Sequence, residues 1–117
     1  MSKIEDRELL ELAAKAGGYR VGWFRKLPHQ CLVLVDESGA PTNPRWNSLI
    51  DDGDCARLEE ACEIDVTWFP GYVDARRWDA GGMPAVGVEQ HSDHGGDKQA
   101  ARRRASTRAA AEIGRTK

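Results

Sequence analysis

Asp97-Lys98-Gln99-Ala100-Ala101-Arg102-Arg103-Arg104-Ala105-Ser106-Thr107-Arg108-Ala109-Ala110-Ala111-Glu112-Ile113-Gly114 is the stretch that fixes the architecture. Alanine and arginine are strong helix formers, and no proline interrupts them. Asp97 suits an N-cap and Gly114 a C-terminal stop, so the spacing predicts a helix over about 98–113. At about 100° per residue, Arg104, Arg108 and Arg115 fall within roughly 40° of one another as one stripe. Ala105, Ala109 and Ile113 form a narrow apolar face about 120° away, whose small side chains permit close packing.

Working back along the chain, His91-Ser92-Asp93-His94-Gly95-Gly96 reads as a polar loop. Residues 63–69 alternate as a strand stopped by Pro70-Gly71, with a hairpin partner at 85–89; the segment 72–84 between them has no assigned element, a short strand plus a turn being one reading. A helix is expected from about Asp52 to Cys62, with Asp51 or Asp52 capping it and Cys55, Leu58, Ala61 and Cys62 on one face. Residues 40–50 are rich in turn formers and read as a loop. Cys31-Leu32-Val33-Leu34-Val35 is the most β-like run and pairs as a hairpin with the alternating residues 19–25; Asp36-Glu37-Ser38-Gly39 is a turn. Residues 3–16 form the first helix, with Leu9, Leu12, Ala13 and Ala16 on its apolar face, Leu10 widening it, and Gly17-Gly18 ending it. The order is α-β-β-α-β-β-α, an α+β domain of antiparallel hairpins packed with helices.

With 117 residues, the chain fits one domain, since single domains usually run about 100–150 residues. Its 31% charged and 40% hydrophobic residues are an ordinary soluble balance. No apolar run approaches the ~20 residues of a membrane helix, and the charged start is no signal peptide, so no membrane partner and a cytoplasmic location are expected. The net charge of −2 hides a split. Residues 98–117 hold seven cations against one carboxylate, +6, which leaves −8 on residues 1–97. An acidic body and a basic terminal helix in one domain suggest a partner.

Chemical motifs are sparse. Asp51, Asp52 and Asp54 are the densest acidic cluster but lack the spacing of a calcium loop, and they fit helix capping better. His91 and His94, with Asp93, are possible zinc ligands at a weak spacing. The three cysteines, Cys31, Cys55 and Cys62, form no pair motif and read as free thiols. There is no nucleophile elbow, P-loop or H-E-x-x-H, so no enzyme, no metal and no cofactor is expected. Of four tryptophans, Trp23 and Trp68 lie on strand patterns and read as core. Trp46 and Trp78 lie in loops and are candidate interface anchors. The binding candidates are therefore Arg104, Arg108, Arg115, Trp46, Trp78, Asp51, Asp52 and Asp54.

Three segments together carry a resemblance. They are Glu8-Leu9-Leu10-Glu11-Leu12-Ala13-Ala14-Lys15-Ala16, Trp46-Asn47-Ser48-Leu49-Ile50-Asp51-Asp52-Gly53-Asp54, and the arginine–alanine run after His94-Gly95-Gly96-Asp97. The chain resembles a family of small, mostly uncharacterised proteins of temperate tailed phages and prophages, over about two thirds of its length. It departs from that pattern at Ser48, where proline is usual, and at Cys55, where alanine is usual. The resemblance implies a phage-encoded accessory protein in the host bacterial cell, with no catalytic residues to carry over. The leading expectation is a non-enzymatic binder of a host protein, an inhibitor of a host antiviral defence system of the anti-CRISPR kind. The alternative is a nucleic-acid-binding accessory or regulatory protein that uses the terminal arginine helix.

Overall fold

A computed structural model describes residues 3–26, 29–77 and 84–115. The elements are α1 (Lys3–Gly17), β1 (Val21–Lys26), β2 (His29–Val35), β3 (Pro41–Arg45), α2 (Asp52–Cys62), β4 (Asp65–Phe69), β5 (Tyr72–Arg77), β6 (Ala85–Gln90), a short 3-10 turn (His91–His94) and α3 (Lys98–Arg115). They make the expected α+β domain of helices and antiparallel sheets, with one sheet ordered β1-β2-β3 and the other β4-β5-β6. The strand order is fuller than the sequence predicts, by β3 and β5.

The centre of the fold is α3. Ala101, Ala105, Ser106, Thr107, Ala109, Ala110, Ala111, Ile113 and Gly114 are all buried, far more than the narrow face expected. The reason is company on several sides: α3 packs on β5 and β6, on α1 and on α2. Small side chains make this possible. A Cβ added at Gly87 of β6 would lie 2.0 Å from the Ala105 carbonyl oxygen, and one added at Gly114 would lie 2.1 Å from the Leu12 oxygen of α1. Both are backbone-to-backbone approaches that only glycine admits. Gly114 therefore does not end the helix, which runs on to Arg115; it is the point where α3 touches α1.

The second sheet is a regular meander. Its register puts Val66, Trp68, Val73, Ala75, Gly87 and Glu89 on the face toward α3, because residues directly opposite share a face. The expected pairing of 63–69 with 85–89 is corrected: β5 lies between them as the central strand. Val73 and Ala75 are its two inward residues, small and flanked by charged neighbours, so the period was faint. Residues 78–83, including Trp78, lie outside the described residues.

In the first sheet, β1 and β2 form the predicted hairpin. The supposed loop 40–50 contributes β3, which pairs with β2 through a register shift between Val33 and Val35. Pro41 and Pro44 disguise it, yet an edge strand tolerates proline because its outer N–H groups need no partner. The Asp36 carboxylate closes the turn, accepting bonds from the Ser38 and Ala40 amides.

On α1 the buried residues are Leu10, Ala13, Ala14 and Ala16, while Leu9 and Leu12 are half-buried, so the apolar stripe is turned from its expected centre toward α3. On α2, Cys55, Leu58 and Cys62 are buried as expected, but Ala61 is exposed. Trp23 is half-buried against the core; its Nε1 donates to Glu11 at 2.5 Å, and the Arg7 guanidinium lies 4.6 Å over its ring.

The glycine contacts yield a signed prediction. In an ordinary helix interior, glycine to alanine gains about 0.5–1 kcal/mol. Here Gly114→Ala and Gly87→Ala should each lose about 2 kcal/mol or more, because backbone must move. Urea unfolding midpoints measure this; an unchanged or raised midpoint refutes the close packing.

Candidate functional site

The arginines of α3 leave the core at different angles, and each meets a carboxylate. Arg102 grips Glu59 of α2 with two bonds, 3.0 Å from Nε and 2.6 Å from an Nη, and the Ser106 hydroxyl donates to the same carboxylate at 2.5 Å. Arg103 donates to Asp52 at 2.7 Å and to the Leu49 carbonyl at 3.0 Å. Arg104 reaches Asp6 of α1 at 2.9 Å. Arg108 pairs with Glu89 of β6 and donates to the Val88 carbonyl at 3.1 Å. Three consecutive arginines leave in different directions, two toward opposite ends of α2 and one toward α1, because a helix turns about 100° per residue. Bidentate, charge-assisted bonds such as that of Arg102 are among the stronger polar contacts.

The basic helix is thus lodged in the acidic body, and most of the predicted stripe is used internally. Among the described residues Arg115 pairs with Glu112 of its own helix, 2.8 Å away, and it is exposed. The acidic cluster is likewise occupied. Asp51 caps α2, its Oδ1 accepting the Asp54 amide at 2.9 Å. Asp54 is buried, accepting from the Asn47 amide at 3.0 Å and from Arg57 at 2.7 Å. Asp52 is exposed and serves Arg103.

The tryptophans exchange roles. Trp46, expected as a loop anchor, is 2% exposed and packs against Tyr19 inside the core, the ring centroids 5.4 Å apart and tilted by 40°, so it offers no surface. Its amide donates to the Leu32 carbonyl at 2.8 Å, which draws the ring in beneath the first sheet. Trp68, expected in the core, is 45% exposed. It does face the α3 side, but β4 is the outermost strand and α3 packs over β5 and β6; its ring centroid lies 6.0 Å from His91.

At the same hairpin tip, on the face of the sheet opposite Trp68, lies a surface that the sequence motifs do not reveal. Phe69 is 39% exposed and stacks on Tyr72 at 4.7 Å, the two rings 7° from parallel. Val88, 40% exposed, shares the outer face of the sheet with them. Gly71, at φ 84°, makes the turn between Phe69 and Tyr72, and its carbonyl accepts the His91 amide at 2.9 Å, fixing the hairpin tip. The signal was present as three aromatics around one tight turn, Trp68-Phe69-Pro70-Gly71-Tyr72.

His91, Asp93 and His94 form the 3-10 turn rather than a plain loop. His94 Nε2 is 2.9 Å from the Glu89 carboxylate, beside a groove of about 540 Å³ shared with Arg104 and Arg108. Among the described residues no three His, Cys, Asp or Glu side chains gather as a metal site. Cys55 is buried beside Glu59; burial first, then that carboxylate, push its thiol from an ordinary 9.0 up to about 12.

Two outcomes follow from these contacts. Cys55 should resist alkylation at pH 8 in the folded protein and react on unfolding, as peptide mass mapping would record. Since its folded pKa lies above the unfolded one, the thiol's share of stability holds below pH 9 and is lost as pH rises toward about 12. The double variant Arg104→Glu, Arg108→Glu leaves Glu89 buried beside another carboxylate and should cost about 3 kcal/mol or more. An unchanged melting temperature would mean that these arginines are not structural. Comparisons with protein-family models, with curated proteins and with solved structures each found no match.

Proposed function

We propose that the chain is a small non-enzymatic accessory protein that works by binding another protein, with the aromatic end of the β4–β5 hairpin as its anchor. The observation that carries this reading is the exposure of Trp68 and Phe69 on a hairpin tip held rigid by the Phe69–Tyr72 stack and the Gly71–His91 bond. Rigid aromatic side chains lose little entropy on contact and supply much of the energy at protein interfaces. The phage-like sequence pattern supports the narrower form: a phage-encoded protein in the host bacterial cytoplasm that inhibits an antiviral defence system, as anti-CRISPR proteins do. Among the described residues no helix is long and apolar enough to cross a membrane.

Nucleic-acid binding through α3 is the weaker reading. Arg104 and Arg108 already hold Asp6 and Glu89, so few cations remain free for phosphates.

The test has two arms. Expression of the chain should raise phage plating on a strain carrying the defence system and leave a strain without it unchanged. Trp68→Ala and Phe69→Ser should weaken the captured partner's binding at least tenfold, about 1.4 kcal/mol each, while both variants still unfold cooperatively, Phe69→Ser at a lower temperature because it removes the stack on Tyr72. Equal binding by both variants would refute the aromatic anchor.

A further inference from the structure

We propose that the open edge of β4 takes up an extended segment of the partner protein, paired antiparallel, apolar beside Trp68 and basic beside Asp65. This rests on the protein-binding reading and specifies its mode.

A strand edge presents a row of backbone donors and acceptors, and natural proteins usually guard it with proline, lysine, bulges or a covering element. The first sheet follows that rule: β3 carries Pro41 and Pro44 and a register shift against β2. β4 does not. It contains no proline, lysine or arginine, its register with β5 is unbroken from Asp65 to Phe69, and four of its five residues are exposed. Among the described residues no strand lies on its other side. Among the described residues every strand pair is antiparallel, so the sheet twist already suits an antiparallel neighbour.

The two ends of this edge differ in chemistry. At the Phe69 end stand the exposed aromatics. At the Asp65 end is a concavity of about 440 Å³ lined by Glu59, Glu60, Glu63, Ile64, Asp65 and Arg77. Glu59 is held by Arg102, but Glu60, Glu63 and Asp65 are exposed, and no described side chain forms an ion pair with them. Among the described residues that line it, Arg77 is the cation against those three carboxylates; Arg76, opposite Asp65 on β5, is held by Asp74 with bonds of 3.0 and 2.8 Å. The concavity therefore favours a lysine or arginine head. An antiparallel neighbour ends where β4 begins, so the basic residue belongs at the C-terminal end of the incoming segment. Backbone pairing supplies affinity here, and the end chemistry supplies register and selectivity.

The probe is a capped peptide of alternating threonine and valine ending in two lysines, titrated into the whole protein to about 1 mM, where weak strand pairing becomes visible. Amide shifts confined to Asp65–Phe69 are expected. Replacing the lysines by glutamates should weaken binding about tenfold, and N-methylation of alternate peptide amides should abolish it. The variant Glu63→Lys, Asp65→Lys should reverse the charge preference. Absence of shifts in β4, or equal binding of the lysine and glutamate peptides, overturns the proposal. So does a concentration-dependent dimer in which β4 amides are protected by a second copy. If the edge fails while Trp68→Ala still loses the captured partner, protein binding stands and only its strand-pairing mode falls.

Discussion

The fold depends on backbone approaching backbone. Gly87 lets β6 touch α3 at Ala105, and Gly114 lets α3 touch α1 at Leu12. The alanines between these points keep the helix slim enough to be surrounded by a sheet and two other helices. Close packing of this kind gains dispersion contacts along whole ridges rather than from a few large side chains. It also leaves little tolerance, since even one added methyl group must displace main chain.

A helix enclosed on several sides has to send its polar residues out through the gaps, and the arginines do this with long apolar stems and charged heads. Each head then needs an acceptor, which explains why the body is acidic where α3 lies. Glu59 and Asp52 come from α2, Asp6 from α1 and Glu89 from β6, and α3 ties these three elements together. The strong separation of charge along the sequence is largely cancelled in space. What remains unbalanced is local: the corner of Glu60, Glu63 and Asp65, and the aromatic hairpin tip next to it on the same strand.

Much of the architecture was legible in the sequence. Three helices, the first hairpin and the caps at Asp51 and Asp97 follow from residue types at the expected places. The failures have a common cause, which is that local pattern carries no information about how many neighbours an element has. Gly114 resembles a helix stop, yet it is a contact point. Ala110 and Ala111 look incidental until α1 and the second sheet enclose them. Trp68 alternates like a core residue, yet it stands on an edge strand beyond the reach of α3. Trp46 looks like a loop anchor, but the hydrogen bond its backbone N–H donates to the Leu32 carbonyl draws it inside. The candidate surface was the least legible part, because its residues are exposed only by virtue of sheet order.

The position of α3 in the chain has a kinetic consequence. It follows every element it packs against, and the Asp6–Arg104 pair joins residues 98 apart in sequence. Neither α1, α2 nor the second sheet can bury its inner face until α3 exists, so the earlier segments emerge without their common partner. Contacts so distant in sequence cost loop-closure entropy before they contribute stability. These elements should consequently assemble in one cooperative step, with α3 made after all of its packing partners and required by each of them.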